Sequence, residues 1–199
     1  MIERLSRAHR AEAVEVLAEA FHEYPVMRFV LKDAGAAYEA RLRALIGFFC
    51  DLRFTRDYPV LGLRDGGALV AVAGINEPEP GPWPPALQAA WAAAGAAIGA
   101  AALDRLARFE ATSAGLEPGD PHYYLGIIGV RPGLQGRGFA RILIEALVGM
   151  SRSHPRSTGV ALTTEQAGNV PLYRRFGFDV IGEADIDDLH TWVMFRPDR

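Results

Sequence analysis

The segment from Gly129 to Met150 constrains this chain more than any other, because an apolar run there passes through a glycine-bearing loop into an amphipathic stripe. Tyr123 to Val130 is almost continuously apolar, the pattern of a strand covered on both faces. Arg131 to Gly138 holds Pro132, Gly133, Gly136 and Gly138, residues that break helices, and reads as a loop. From Phe139 to Met150, Ile142, Leu143, Ala146 and Leu147 recur at helical spacing. A strand that turns through glycines into a helix gathers backbone N–H groups and a positive dipole end, which suits a phosphate or pyrophosphate. Arg137 could add a direct charge. By itself the loop also fits a purely structural turn.

Two phosphate motifs are excluded. A P-loop ends in Gly-Lys-Ser/Thr, whereas Gly138 is followed by Phe139. A Rossmann fingerprint starting at Gly136 requires glycine at position 141, which is Arg141.

Elsewhere the pattern predicts a single α/β domain over residues 1–199 with an insertion at about 77–121. Ile2 to Leu5 reads as a short strand, and Ala11 to Phe21 as a helix that Tyr24-Pro25 interrupts. Ala37 to Phe54 resumes helical spacing through Leu42, Leu45, Ile46 and Phe49. Val60–Leu63 and Ala68–Ile75 read as a hairpin. Glu77 to Pro85 is too rich in proline for regular structure, and it leads into an alanine-rich helix continuing through Leu103, Leu106 and Phe109. Gly159–Thr163 is a strand and Asn169–Phe176 a short helix closed by Gly177. Phe178–Gly182 and Thr191–Phe195 complete a mixed sheet, and the last of these could close it or pair across a homodimer.

The block Ile128-Gly129-Val130-Arg131-Pro132, followed by Gln135-Gly136-Arg137-Gly138-Phe139-Ala140, resembles the acyl-CoA signature of the GNAT superfamily of N-acetyltransferases. That signature is Arg/Gln-x-x-Gly-x-Gly/Ala after the fourth strand, and Gln135, Gly138 and Ala140 match its fixed positions. Asn169-Val170-Pro171-Leu172-Tyr173-Arg174-Arg175-Phe176-Gly177-Phe178 is similar to the family's downstream helix and following strand. Ala20 to Val26 and His122-x-Tyr124-Leu125 loosely resemble antibiotic-modifying branches such as puromycin acetyltransferase.

The resemblance implies a mostly antiparallel sheet flanked by helices, with the fourth and fifth strands splayed around acetyl-CoA. The pantetheine arm would pair with the backbone of Ile128, Gly129 and Val130, and mid-strand Gly129 would suit a bulge or a close ligand approach. The amides of Gln135, Gly136, Arg137, Gly138, Phe139 and Ala140 would carry the pyrophosphate. Asn169 would hold the arm from the opposite wall, cap the short helix, or both. Tyr173 would protonate the departing thiolate; its alternative is a core tyrosine packed beside Phe176. The base that accepts the amine proton is open among Glu77, His122 and Glu165. The acceptor is expected to be a primary amine of a small molecule or a protein N-terminus. A non-catalytic acyl-CoA sensor is the rival reading. Phe21, Tyr24, Met27, Phe29, Trp83 and Trp91 line an acceptor pocket or belong to the core.

Other classes receive little support. A net charge of −3 disfavours nucleic-acid binding through bulk charge. Cys50 is the only cysteine, so it forms no intramolecular disulfide, and its apolar surroundings suit a small buried hydrophobe. His9, His22, His154 and His190 have no metal spacing, and no metal is expected. Ala86 to Leu103 is free of charge but dominated by alanine, which anchors poorly in membranes. The expectation is a cytoplasmic protein with no membrane association.

Overall fold

A computed structural model describes residues 1–198. In chain order, β1 (Ile2–Arg4) is followed by α1 (Arg10–Phe21), α2 (Pro25–Val30), α3 (Tyr38–Thr55), β2 (Val60–Asp65) and β3 (Ala68–Asn76). Next come α4 (Pro85–Ile98), α5 (Ala100–Ala114), β4 (Tyr123–Val130), α6 (Phe139–Ser153) and β5 (Gly159–Thr164). The chain ends with α7 (Asn169–Arg174), β6 (Asp179–Ile186) and β7 (Leu189–Pro197). The strands form one mixed sheet in the order β1-β2-β3-β4-β5-β7-β6. All neighbours are antiparallel except β4 and β5.

Each face of the sheet carries its own core. Leu17, Leu42, Leu45, Ile46, Val72 and Ile127 bury α1 and α3 against one face. Leu143, Ile144 and Leu147, the stripe of α6, pack on the other with Leu125, Val160 and Phe178. Tyr24 is extended before Pro25, which opens α2 at its first position, as proline's restriction on the preceding residue requires.

The segment expected as an insertion holds two helices, not the one continuous helix that the alanine run predicts. Gly99, at φ +91°, separates α4 from α5. α4 seals against α3 through Phe48, Leu87 and Ala94. α5 is pinned to the end of α2 by Arg105, whose Nε donates to Val30 O at 3.0 Å while Nη1 pairs with Asp33 at 2.7 Å.

β7 lies between β5 and β6, so both its edges are occupied and the pairing across a dimer considered for Thr191–Phe195 is not available. Among the described residues, no helix is long and apolar enough to cross a membrane. Cys50 is buried in the α3 core, and that burial pushes its thiol up to about 11, leaving it an inert hydrophobe.

Candidate active site

The gap between β4 and β5 organises the site. The two strands pair only over Tyr123–Leu125 and Val160–Leu162, after which β5 follows β7 and leaves the rest of β4 unpaired on that edge. Arg131 N donates to Val70 O at 2.9 Å. Bonding alternates along an antiparallel ladder, so Gly129 addresses β3, while Ile128 and Val130 turn their N–H and C=O groups toward the gap. Gln135 reaches into it, its Nε2 3.4 Å from Val130 O.

Gly129 is not the bulge that its mid-strand position suggests. It stands in regular register with Val72, and a Cβ there would lie 2.8 Å from Ala20 Cβ, so what approaches closely is helix α1. The register slips instead between Gly74 and Ile75, leaving Gly126 as the extra residue of β4. This slip lets Tyr124 and Ile127 both face the α1–α3 side.

Beyond β4, Gly136 and Gly138 adopt φ of +78° and +86°, a region that favours glycine, and a Cβ at either would meet no atom within 4 Å. The loop therefore presents backbone to open space just before Phe139 and Ala140 begin the fifteen-residue helix α6. Arg137 does not hang free over it. Its guanidinium pairs with Asp65 at 3.2 Å and lies over the Phe139 ring.

A cavity of about 500 Å³ opens beneath the strand separation, and its walls include Tyr173, Asn169, Glu165, His122 and Glu77. The structure thus gathers the predicted acid and all three predicted bases around one space. Tyr173 packs edge-on against Phe178 at 5.9 Å between ring centroids, in the core cluster against which Phe176 also packs. Burial, with the Tyr24 and Glu165 charges, pushes its hydroxyl far above the ordinary tyrosine range, so it stays protonated at neutral pH. Asn169 is the first helical residue of α7; Gly168 holds the N-cap position, and the Asn169 amide donates to Thr164 Oγ1 at 3.2 Å.

The three base candidates differ in environment. Glu165 directly follows β5, is buried, and accepts a hydrogen bond from Thr191 Oγ1 at 2.9 Å. Desolvation lifts its carboxyl to about 7, although hydrogen bonds from Thr191, Thr163, its own backbone and Tyr24 oppose the rise. His122 sits between Asp120 O, 2.8 Å from Nδ1, and Glu117, 3.3 Å from Nε2. Burial pulls its pKa down, but the Glu117 and Asp120 hydrogen bonds and the Glu117 charge outweigh that and raise it overall. Glu77 follows β3 and is exposed.

Tyr24 joins the elements around Glu165. Its hydroxyl meets Thr164 Oγ1 at 2.9 Å and accepts from the Glu165 N–H at 3.3 Å, and burial raises it to about 12. Sequence reasoning took Tyr24 as the residue before a helix-interrupting proline and as an aromatic, without a hydrogen-bonding role, and it gave no role to Thr191, Glu110 or Arg53. Thr191 was detectable in principle: β5 and β7 run antiparallel with Thr164 opposite Trp192, so one further step brings Glu165 to Thr191.

Strands parted over an open glycine turn are what an acyltransferase needs in order to seat a long thioester donor along a strand edge. The profile of the acetyltransferase (GNAT) family matches residues 17–178, and the chain belongs to that family; it is an acetyl-CoA-dependent acyltransferase. Solved structures share the fold. A Corynebacterium glutamicum protein described as histone acetyltransferase HPA2 and related acetyltransferase is 23% identical with a TM-score of 0.68, covering 100% of this chain and 97% of that one. The C-terminal condensation domain of Ebony, in complex with beta-alanyl-dopamine, reaches a TM-score of 0.74 at 11% identity, covering 100% and 98%. A Drosophila melanogaster polyamine N-acetyltransferase reaches 0.61 at 14% identity, covering 98% and 97%.

Proposed function

We propose that this protein transfers the acetyl group of acetyl-CoA to a primary amine by direct attack within the cavity, with a small molecule as the amine. The observation that carries this reading is Tyr173 and Glu165 lining one cavity, a proton donor and a carboxyl with a pKa near 7 on its walls.

The residues around the strand gap suit the donor. Ile128 offers backbone groups free of strand pairing to a pantetheine arm and Val130 its N–H, its carbonyl being taken by Gln135, and Gly129 supports that edge from its packing on α1. The open amides from Gln135 to Ala140, including Gly136, Arg137, Gly138 and Phe139, suit its pyrophosphate, and Asn169 bounds the gap from α7. When bound there, acetyl-CoA supplies a thioester carbonyl within reach of the acceptor amine.

Three tasks then fall to the chain. Glu165 takes the proton of the attacking amine; His122, held by Glu117, and exposed Glu77 are its competitors. The amides near Val130 steady the carbonyl oxygen as it gains charge. Tyr173 delivers a proton to the leaving sulfur.

The test is release of free CoA thiol when the protein and acetyl-CoA meet a panel of primary amines. The reading expects release with at least one small amine. Tight binding of acetyl-CoA with no release for any amine, peptide N-termini included, would contradict it and leave a non-catalytic acyl-CoA module.

A further inference from the structure

The cavity contains a charge that acetyl transfer does not use. Arg53, near the end of α3, is 5% exposed, and its guanidinium makes one hydrogen bond among the described residues, from Nη1 to Phe49 O at 2.7 Å. Among the described residues, Nε is buried without a partner and no carboxylate forms an ion pair with Arg53. A buried cation without a counter-charge is costly, and an apolar side chain of similar size would cost less. Burial lowers its pKa only to about 10, so it stays charged at neutral pH.

The sheet is cleared to receive this group. A Cβ at Gly126 would stand 2.0 Å from Arg53 Nη2, and one at Gly74 would stand 2.7 Å from both Cδ and Nε. The guanidinium thus lies over two glycines on adjacent strands, beside the β4 bulge, and forms part of the cavity wall. The same cavity wall also carries an aromatic cluster, with Phe48 4.8 Å from Trp91 and 5.8 Å from Trp83 between ring centroids. Glu110 lines the same space without reaching ion-pair distance; loss of solvent raises its carboxyl and Arg53 opposes the rise.

We propose that Arg53 receives a carboxylate of the acceptor, so that the acceptors are amino acids and related aminocarboxylates with an apolar or aromatic body. This rests on the acetyl-transfer reading above. The acceptor nitrogen forms a bond to the acetyl carbon as the carbon–sulfur bond breaks. The amine proton passes to the base, CoA leaves as its thiol, and the carboxylate remains unreacted on Arg53. A cation facing a carboxylate in a dry pocket strengthens binding by about tenfold or more.

Matched pairs that differ only in the carboxylate test this, such as phenylalanine against phenethylamine and tryptophan against tryptamine. CoA release gives kcat/KM for each, and calorimetric titration into the CoA-loaded protein gives affinity. The wild type is expected to favour the carboxylate member by about tenfold or more in both readouts. Arg53→Met is expected to bring that ratio close to one while acetyl-CoA affinity is kept. Gly126→Ala, which pushes the guanidinium aside, is expected to lower the ratio as well and serves if Arg53→Met does not fold. No preference in the wild type, or a preference that survives both variants, overturns the assignment. Acetylation of plain amines with no carboxylate preference defeats only this proposal. Carboxylate-dependent binding without CoA release defeats only the catalytic reading.

Discussion

Thr191 Oγ1 donates to Glu165 Oε1 at 2.9 Å across the β5–β7 seam, and both residues are buried. The carboxyl that follows β5 is therefore held in one orientation by a neighbouring strand. Burial sets its pKa near 7 and the Thr191 bond, which favours the charged form, keeps it from rising further.

A pH profile follows from that pair. With Glu165 as base, kcat/KM rises as pH passes through about 7 and then levels. Thr191→Val removes a bond to the carboxylate, so the acid limb moves to higher pH with the plateau largely kept. Glu165→Gln abolishes the limb and lowers the plateau about a hundredfold or more. A limb unmoved by either change assigns the base to His122 or Glu77.

Stability carries the same signature. The folded-state pKa of Glu165, about 7, lies above its ordinary value of 4.5, so the folded protein holds this proton more tightly than the unfolded chain. The resulting stability is fully present below about pH 4.5 and is lost as pH rises through 7, a difference of about 3 kcal/mol. Denaturant midpoints of the wild type should fall relative to Glu165→Gln between pH 5 and 8. Parallel curves for the two proteins would contradict the burial argument.

Tyr173→Phe retains the ring packed on Phe178 and removes only the hydroxyl. Turnover should fall by about ten- to a thousandfold with acetyl-CoA affinity unchanged, measured by thiol release beside calorimetry. Wild-type turnover would reduce Tyr173 to a core residue.

Two glycines of one motif should fail differently. Gly138→Val places a side chain in open space at φ +86°, costing about 1–2 kcal/mol in strain, and should weaken acetyl-CoA binding about tenfold or more. Gly129→Ala sets a Cβ 2.8 Å from Ala20 Cβ and should cost about 1–3 kcal/mol through overpacking against α1. Thermal melts and acetyl-CoA titrations on both variants separate the two effects.

What could be read in the sequence was local. The β4–loop–α6 unit was legible because a continuous apolar strand run and a period-3.6 stripe meet at glycines that the backbone conformation requires. The break at Gly99 was hidden, because alanines on both sides sustain helix propensity through it. Arg53 was hidden for a different reason. Along α3 it resembles Arg41 and Arg43, and only Gly74 and Gly126, on strands distant in sequence, show why it can lie buried. The bulge was misplaced to Gly129 because strand pairing, not composition, determines which glycine is the extra one.

Calorimetric titration of the purified, folded protein with acetyl-CoA, with ATP as control, tests the central claim most directly. The account predicts one-to-one binding of acetyl-CoA in the micromolar range and no comparable heat from ATP. No binding of acetyl-CoA, or equal binding of ATP, would contradict a donor site between β4 and β5.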